Sequence, residues 1–332
     1  MEQIVYAGRI KDRKTLLESS SGGAFTAISD WFLKNGYPVI SSVYNYETNQ
    51  QEFQILKNAS DRDHARGSKY VQSKPGEIYK LTYNWCKENP EKELLFVGTG
   101  CQADGFRIYS ELKGIRNQVT VVDIICHGVP SPKIWREYAM SLGKISYLTF
   151  KDKRNGWNNP MAVAIVDGQE KSLNKYIKVF YDHCNLRPSC YVCPFATTVR
   201  KTDITIGDFW GIENKMTEFY DPDGNSLFLI HTEKGRWLFK NIKINLDYRE
   251  INVKDCLQPN LIKPTSAPIY RTKFWRDYKK HGAVYIVNKY GNANYHMGIL
   301  NKVKSLLKRI RVTSPDDCLI NQCREIDPGK VK

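Results

Sequence analysis

The stretch that decides the fold is Leu94-Leu95-Phe96-Val97-Gly98-Thr99-Gly100-Cys101-Gln102. Four consecutive apolar residues predict a buried strand, and the Gly-Thr-Gly turn leads into a segment that the sequence predicts to be helical through about Ser110. A buried strand, a glycine turn and a helix together form the repeating unit of α/β proteins. The turn would present a thiol and an amide to a ligand, although a free cysteine packed as a small hydrophobe is the common alternative.

A similar succession of elements lies on both sides of this stretch. The spacing of apolar residues predicts helices over 24–35 and 78–88, and strands over 39–43 and 119–125. The predicted strands end in turns rich in Gly, Cys or Ser. We therefore expect an α/β layer whose ligand site collects at the carboxyl ends of the strands.

The second half of the chain has a different pattern, with shorter predicted strands that are typical of an α+β arrangement. These strands cover 145–150, 161–166, 203–207 and 227–232. The predicted fold class is therefore α/β to α+β, with mixed sheets and flanking helices. The expected divisions are an α/β N-terminal half, an α+β half that carries a cysteine motif, and a basic C-terminal helical tail, over 1–143, 144–272 and 273–332.

The composition is that of an ordinary globular protein, with 41% hydrophobic and 26% charged residues in a chain of 332. No window approaches the roughly 18 consecutive apolar residues of a membrane span, and Met1-Glu2-Gln3 leads into no signal pattern. The nine cysteines are too sparse and odd in number for a secreted disulfide scaffold. We therefore expect a cytoplasmic protein with reduced thiols.

The formal net charge of +15 favours an anionic partner, such as a phosphorylated cofactor, nucleic acid, a membrane surface or an acidic redox protein. Solubility alone is the competing explanation. An amphipathic helix with a basic face is predicted over 299–311. That face would suit a weak contact with an anionic membrane surface or an acidic protein, or would simply be solvated over core leucines.

The motif Cys184-x5-Cys190-x2-Cys193-Pro194 brings three thiols within ten residues. Thiols at this spacing favour one soft metal centre over disulfides, and a cubane cluster or a tetrahedral zinc normally needs a fourth ligand. Cys126, at a predicted strand end, is the preferred fourth ligand and Cys101 is its rival. The local spacing leaves an iron-sulfur cluster, zinc and unligated cysteines all open.

Two further segments would suit a phosphorylated ligand. Ser20-Ser21-Gly22-Gly23 precedes a predicted helix, where backbone N–H groups can approach a phosphate, although small residues there also serve as an ordinary cap. Arg66-Gly67-Ser68-Lys69-Tyr70-Val71-Gln72-Ser73 combines cations, an aromatic ring and hydrogen-bonding groups that would suit a flavin or a nucleotide phosphate. An exposed polar loop is the alternative for this second segment.

Seven segments, in this order between about Ser20 and Lys240, resemble the coenzyme F420 hydrogenase/dehydrogenase beta subunit family. They are Ser21-Gly22-Gly23, the segment 66–73, Gly98-Thr99-Gly100-Cys101-Gln102, Ile125-Cys126-His127-Gly128-Val129-Pro130-Ser131-Pro132, Lys151-Asp152-Lys153-Arg154-x-Gly156-Trp157, the Cys184 motif and the segment 203–211.

The resemblance implies an FAD-dependent iron-sulfur oxidoreductase that moves electrons between a [4Fe-4S] cluster and a flavin, with the site between the two halves of the chain. The flavin would exchange a hydride with a deazaflavin or another acceptor. The implied cluster ligands are Cys126, Cys184, Cys190 and Cys193. The implied cofactor-binding residues are Ser21, Gly22, Gly23, Lys69, Tyr70, Gln72, Thr99 and Gln102.

The implied partners are a ferredoxin-like protein or domain and a small-molecule hydride donor or acceptor, with no specific nucleic acid. The first cysteine is Cys86, so any second cluster would lie in a partner protein. Gly100 stands where the usual turn has proline, which would loosen the loop that holds Cys101. Two rival functions are a zinc-stabilised binding module and a redox-inactive accessory protein of polysaccharide biosynthesis.

Overall fold

The computed structural model describes residues 3–292, and its largest feature is a mixed sheet of nine strands. The strands of the protein are β1 (Ile4–Ile10), β2 (Val39–Asn45), β3 (Gln50–Leu56), β4 (Ser73–Lys74), β5 (Leu94–Thr99), β6 (Val119–Ile124), β7 (Ile145–Asp152), β8 (Met161–Val166), β9 (Gln169–Ser172), β10 (Ile204–Asp208), β11 (Ser226–Ile230) and β12 (Leu246–Ile251).

Helices flank this sheet along the chain. They are α1 (Arg13–Glu18), α2 (Ala24–Lys34), α3 (Ala59–Ala65), α4 (Ile78–Glu88), α5 (Gly100–Leu112), α6 (Pro132–Leu142), α7 (Asn174–Tyr181), α8 (Ile212–Lys215), α9 (Glu233–Ile242), α10 (Pro259–Ile262) and α11 (Arg271–Tyr290). Helix α11 is interrupted at Gly282, whose φ of 78° is outside the helical region. No helix within residues 3–292 combines the length and apolarity needed to cross a membrane.

The order of strands in the large sheet is β12-β1-β11-β10-β6-β5-β2-β3-β4, and β7, β8 and β9 form a separate antiparallel sheet. Strands β10, β6, β5 and β2 run parallel at the centre. On one side, β11, β1 and β12 follow with antiparallel pairings. The carboxyl ends of the four central strands therefore meet at one edge of the sheet.

Both faces of the central sheet are buried, as expected of parallel strands covered by helices. Along β5, Leu95 and Val97 pack on one face in a cluster that includes residues of α2 and α9. Leu94 and Phe96 pack on the other face with residues of α4 and α5. The run of four apolar residues is thus explained by burial from both sides.

The predicted fold class is confirmed, because the protein has a large mixed sheet with flanking helices. The predicted helices over 24–35 and 78–88 correspond to α2 and α4. The predicted division of the chain stays a prediction, although strands from both sides of residue 143 pair in one sheet, β10 with β6 and β11 with β1. The predicted helix over 299–311 lies outside the described residues.

Candidate functional site

A cavity of about 280 Å³, the large cavity, opens at the carboxyl ends of the central strands. Thr99 at the end of β5, Ile124 at the end of β6 and Asp208 at the end of β10 all line it. This is the position that the sequence predicts for a ligand site. The size approaches that of ordinary small-molecule pockets, which begin at about 300 Å³.

The first turn of α2 forms one wall of the large cavity. Gly23 is the N-terminal cap residue with a φ of 84°, and no side chain of the described residues caps this end of the helix. A Cβ at Gly22 would lie 2.6 Å from both the Gly8 carbonyl oxygen and the Ser226 backbone nitrogen, so only glycine fits there. The Thr26 side chain is buried at the cavity wall, and its hydroxyl has no hydrogen-bond partner within residues 3–292.

Ser21 and Lys153 support this wall from behind. The Ser21 hydroxyl donates to the Asn225 carbonyl oxygen at 2.9 Å. The Lys153 ammonium donates to the carbonyl oxygens of Leu16 at 2.6 Å and Ser21 at 3.3 Å. Burial lowers the pKa of Lys153 to about 8. A cation thus lies directly beside the segment that the sequence predicts to bind an anion.

The loop 66–73 forms the opposite wall. Lys69 donates to the carbonyl oxygens of Ala65, Arg66 and Gly67 at the C-terminal end of α3, and burial lowers its pKa to about 7. Lys69 therefore caps this helix while it lines the cavity. The Tyr70 ring lies 4.5 Å from the Phe180 ring in a stacked arrangement.

Gln102 joins this loop to the turn after β5. Its side-chain nitrogen donates to the Ser73 carbonyl oxygen at 2.9 Å, and its oxygen accepts from the Thr99 hydroxyl at 3.0 Å. Six of the eight predicted cofactor-binding residues line the large cavity: Ser21, Gly23, Lys69, Tyr70, Thr99 and Gln102. Gly22 and Gln72 are not in its lining, and Gly22 acts through the close packing described above.

A second cavity of about 40 Å³, the thiol cavity, is lined by four cysteines. They are Cys101, Cys126, Cys190 and Cys193. Burial raises the pKa of Cys126 to about 12 and also raises the pKa of Cys190, with further increases from the neighbouring thiols. The Val129 backbone N–H donates to the Cys190 sulfur at 3.5 Å, which holds that thiol against the loop after β6.

Cys184 is not in the lining of the thiol cavity, so the structure does not bring it together there with the other two cysteines of the motif. Its side chain is fully buried in a hydrophobic cluster that includes Tyr176 and Phe274, and its sulfur donates to the Asp182 carbonyl oxygen at 3.6 Å. Cys101, which the sequence treats as a rival ligand, lies with the other three cysteines instead. Spacing along the chain could not distinguish a thiol in the core from one in a cavity.

Among residues 3–292, no three side chains of His, Cys, Asp or Glu are placed to hold a single metal ion. The four thiols nevertheless belong to one cavity and are the donor type that iron-sulfur clusters use. The large cavity and the thiol cavity share Thr99, the segment 126–129 and Asn260 in their walls. The two cavities therefore adjoin.

Gly100 lines the thiol cavity and packs closely against its neighbours, while the looser loop expected in the absence of proline stays a prediction. Helix α5 begins at Gly100, and a Cβ there would lie 2.9 Å from the Phe195 Cβ and 3.2 Å from an Asp123 carboxylate oxygen. Glycine lets the first turn of α5 approach the segment that carries Cys193. This contact fixes Cys101 beside the other thiols.

A polar and aromatic group outside the predicted cofactor-binding residues lies at the rim of the large cavity. Lys151 donates to Asp208 at 2.7 Å, and the Trp157 indole donates to the same carboxylate at 3.0 Å. The Trp157 and Trp210 rings stack at 4.9 Å, with the Lys151 ammonium 4.7 Å from the Trp210 ring centroid. The signal was present, because these residues belong to two of the segments that carry the family resemblance.

His127 directly follows Cys126 in the chain, and the structure gives it a partner. Its Nε2 lies 2.7 Å from the Nε2 of His183, and its Nδ1 lies 3.3 Å from the Asn260 side-chain oxygen. Burial lowers the pKa of both histidines, that of His127 to about 4. His183 has a φ of 63°, a backbone feature that no sequence pattern indicated.

A mixed sheet with two adjoining cavities at the carboxyl ends of its central strands defines an α/β protein with a candidate ligand site at the usual place for this fold class. Residues 91–254 match the family model for the C terminus of the coenzyme F420 hydrogenase/dehydrogenase beta subunit. This match and the sequence resemblance support the coenzyme F420 hydrogenase/dehydrogenase beta subunit family, a family related to oxidoreductases. The resemblance found in the sequence is thereby confirmed.

The fold is similar to that of a chain in a solved structure of the F420-reducing [NiFe] hydrogenase complex from Methanosarcina barkeri. The two chains are 15% identical, and the match covers 87% of this chain and 89% of that chain with a TM-score of 0.51. At this identity the likeness concerns the fold. Curated proteins give no match to the sequence.

Proposed function

We propose that this protein is an FAD-dependent [4Fe-4S] oxidoreductase that passes electrons between a ferredoxin-type partner and a hydride acceptor such as a deazaflavin. One observation carries the proposal: a cavity lined by four cysteines shares a wall, the segment 126–129, with a larger cavity at the carboxyl ends of the central strands. Adjoining sites of this kind suit electron transfer over a short distance.

The thiol cavity favours a cluster over zinc. A tetrahedral zinc draws its four ligands around one ion, whereas in a cubane each thiolate binds its own iron, so that the sulfurs stand farther apart. Four thiols in one lining supply one thiolate for each iron of a cubane, and the match to the F420 hydrogenase/dehydrogenase beta subunit family favours iron-sulfur chemistry over zinc. We assign the ligands as Cys101, Cys126, Cys190 and Cys193.

The large cavity suits a flavin nucleotide. Unpaired N–H groups at the first turn of α2, the free Thr26 hydroxyl and the nearby Lys153 ammonium offer a site for phosphate within the described part of the chain. The Tyr70 ring and the Thr99–Gln102 pair offer a flat surface and polar groups to a ring system. When bound, FAD supplies the exchange between one-electron and two-electron transfer, and the cluster supplies one-electron transfer.

Anaerobic reconstitution with iron, sulfide and FAD tests the proposal. We expect about four irons per chain, a flavin absorbance band near about 450 nm, and an EPR signal on reduction with dithionite. A cofactor-loaded protein should then transfer electrons from a reduced ferredoxin to a deazaflavin. The absorbance and EPR spectra report flavin and cluster in one sample.

Two results would contradict the proposal in different ways. Zinc without iron or flavin would support the rival function of a zinc-stabilised binding module. A cofactor-loaded protein that no ferredoxin, nicotinamide or deazaflavin can reduce would instead support a redox-inactive accessory role.

A further inference from the structure

Arg200 is a buried cation in the wall of the thiol cavity. Only 2% of its side chain is exposed. Its Nε donates to the Thr197 carbonyl oxygen at 3.2 Å, and its Nη1 donates to the Ile124 carbonyl oxygen at 3.2 Å and to the Asp123 carboxylate. Within the described part of the chain, its Nη2 has no hydrogen-bond acceptor.

The charge partner of Arg200 is the Asp123 carboxylate, which is not part of the lining of the thiol cavity. Asp123 is fully buried near the end of β6 and is absent from the lining of the thiol cavity. Its other carboxylate oxygen accepts from the hydroxyls of Thr202 at 2.9 Å and Thr205 at 2.6 Å. Of the two charges of this ion pair, only the guanidinium is part of the cavity wall.

The position of the two charges matters because Coulomb energy falls with distance, and the guanidinium is the member of the pair that lines the cavity. Four thiolates around an iron-sulfur cluster give a site of net negative charge, and one-electron reduction adds another negative charge. A nearby cation and a free N–H donor both stabilise the more negative state. Reduction potentials of clusters depend on such charges and hydrogen bonds.

We propose that Arg200 is the charge-compensating residue of the thiol cavity: its guanidinium favours the one-electron reduced state of a centre held by the four cysteines and raises its reduction potential. The inference rests on the proposed function. The electron comes from an external one-electron donor, and no bond within the protein is made or broken. Asp123 acts as a positioning residue that holds the guanidinium against the cavity.

The test is an EPR-monitored redox titration of the reconstituted protein, with dithionite as reductant. For Arg200→Gln we expect the equilibrium constant for reduction to fall about tenfold, which is about 59 mV for a one-electron couple. Arg200→Lys keeps the positive charge but loses the planar guanidinium group with its fixed N–H donors. The reduction potential of the cluster in this variant should therefore lie between those of the wild type and Arg200→Gln. Iron content and thermal stability are measured on the same samples.

Arg200→Gln leaves the Asp123 carboxylate buried without its cation, which can prevent folding. The double variant Arg200→Gln/Asp123→Asn removes both charges and leaves no unpaired ion. Its potential should also lie below that of the wild type, because the charge that lines the cavity has been lost. This second variant keeps the test decisive where the single variant does not fold.

Arg116→Gln is the matched control. Arg116 pairs with the buried Asp203 at 2.8 Å, but it lies before the start of β6, at the opposite end of the strand from Cys126. Its removal should lower stability and leave the potential unchanged. A wild-type potential in Arg200→Gln or in the double variant would overturn the inference alone, whereas a wild-type protein without any cluster would overturn the proposed function and the inference together.

Discussion

Cys101 and Cys184 are both free thiols, but their surroundings differ completely. Cys101 is exposed in the first turn of α5, and it lines a cavity with three other cysteines. Cys184 is buried among aromatic and aliphatic side chains, where burial raises its pKa to about 12. Since Cys101 shares a cavity with three other thiols and Cys184 does not, Cys184 is the poorer candidate for a ligand of the same centre.

Substitution of these two cysteines should therefore have opposite effects. Cys101→Ser removes a proposed cluster ligand, and we expect reconstituted protein to lose most of the about four irons per chain. Cys184→Ala leaves the four thiols of the cavity intact, and we expect full iron content with a modest loss of stability from the cavity created in the core. Iron analysis and the EPR spectrum of each variant give the measurement. Retention of iron in Cys101→Ser together with its loss in Cys184→Ala would restore the ligand set implied by the sequence motif.

At the residue scale, the sequence indicates which cysteines form a motif, but it does not indicate where each thiol lies in the fold. Cys190 lies in the short 3-10 helix Pro188–Val192, and Cys193 is the residue that ends it. The spacing of these two cysteines therefore corresponds to one local turn of the chain. Cys184 precedes this turn by a few residues, and its direction is set by packing against α7 and α11. That packing depends on residues about a hundred positions apart, which no local pattern contains.

Helix α2 carries two hydroxyl side chains with contrasting surroundings, and both are buried. The Thr26 hydroxyl faces the large cavity without a hydrogen-bond partner among the described residues. The Ser29 hydroxyl, less than one turn further, donates to the Phe25 carbonyl oxygen at 2.7 Å. A buried polar group without a partner is costly, which suggests that a ligand supplies the missing hydrogen bond to Thr26.

Thr26→Val should separate ligand binding from stability, because valine keeps the shape and removes only the hydroxyl. We expect FAD to bind roughly fivefold more weakly, the equivalent of about 1 kcal/mol for one hydrogen bond, with no loss of stability in the cofactor-free protein. Flavin fluorescence titration and thermal unfolding measure the two effects. Ser29→Ala is the control and should lower stability while FAD affinity stays unchanged. Equal FAD affinity in Thr26→Val and wild type would remove this wall from the proposed phosphate site.

Elements with a strong apolar signal are the ones that the sequence predicts. Strand β5 and helix α4 follow from runs and periodicity of apolar residues, because both are packed on the core. Strand β3 was missed, since its sequence Gln-Gln-Glu-Phe-Gln-Ile-Leu is largely polar. It exists because it pairs with β2 over seven residues, with Phe53 opposite Ser42. Pairing between strands is a tertiary interaction that composition does not reveal.

At the scale of the whole molecule, the thiol cavity lies close to a surface suited to a protein partner. We call the segment 187–201 the thiol-side surface. It contains the exposed cations Arg187 and Lys201 and the buried Arg200, but no Asp or Glu. Val192 and Val199 in this segment are 76% and 75% exposed. Exposed apolar side chains among cations, next to the proposed cluster, suit brief contact with an acidic one-electron carrier.

Two double variants can distinguish the effect of the charges on this surface from the effect of the net charge of +15. The double variant Arg187→Glu/Lys201→Glu reverses two exposed cations beside the thiols, and Lys34→Glu/Lys113→Glu makes the same change in net charge at the C-terminal ends of α2 and α5. Thirteen residues of helix separate Lys113 from the cysteine end of α5, about 20 Å at 1.5 Å per residue.

The rate of reduction of the cofactor-loaded protein by a reduced acidic ferredoxin, measured by stopped flow, distinguishes the two variants. At low salt we expect the thiol-side variant to react at least about tenfold more slowly than wild type, because local charge steers the encounter of the two proteins. The control should stay within about twofold of wild type. The difference should shrink as salt rises, since screening acts over about 10 Å at 0.1 M. Equal slowing in both variants would assign the attraction to net charge and remove the thiol-side surface as the docking face.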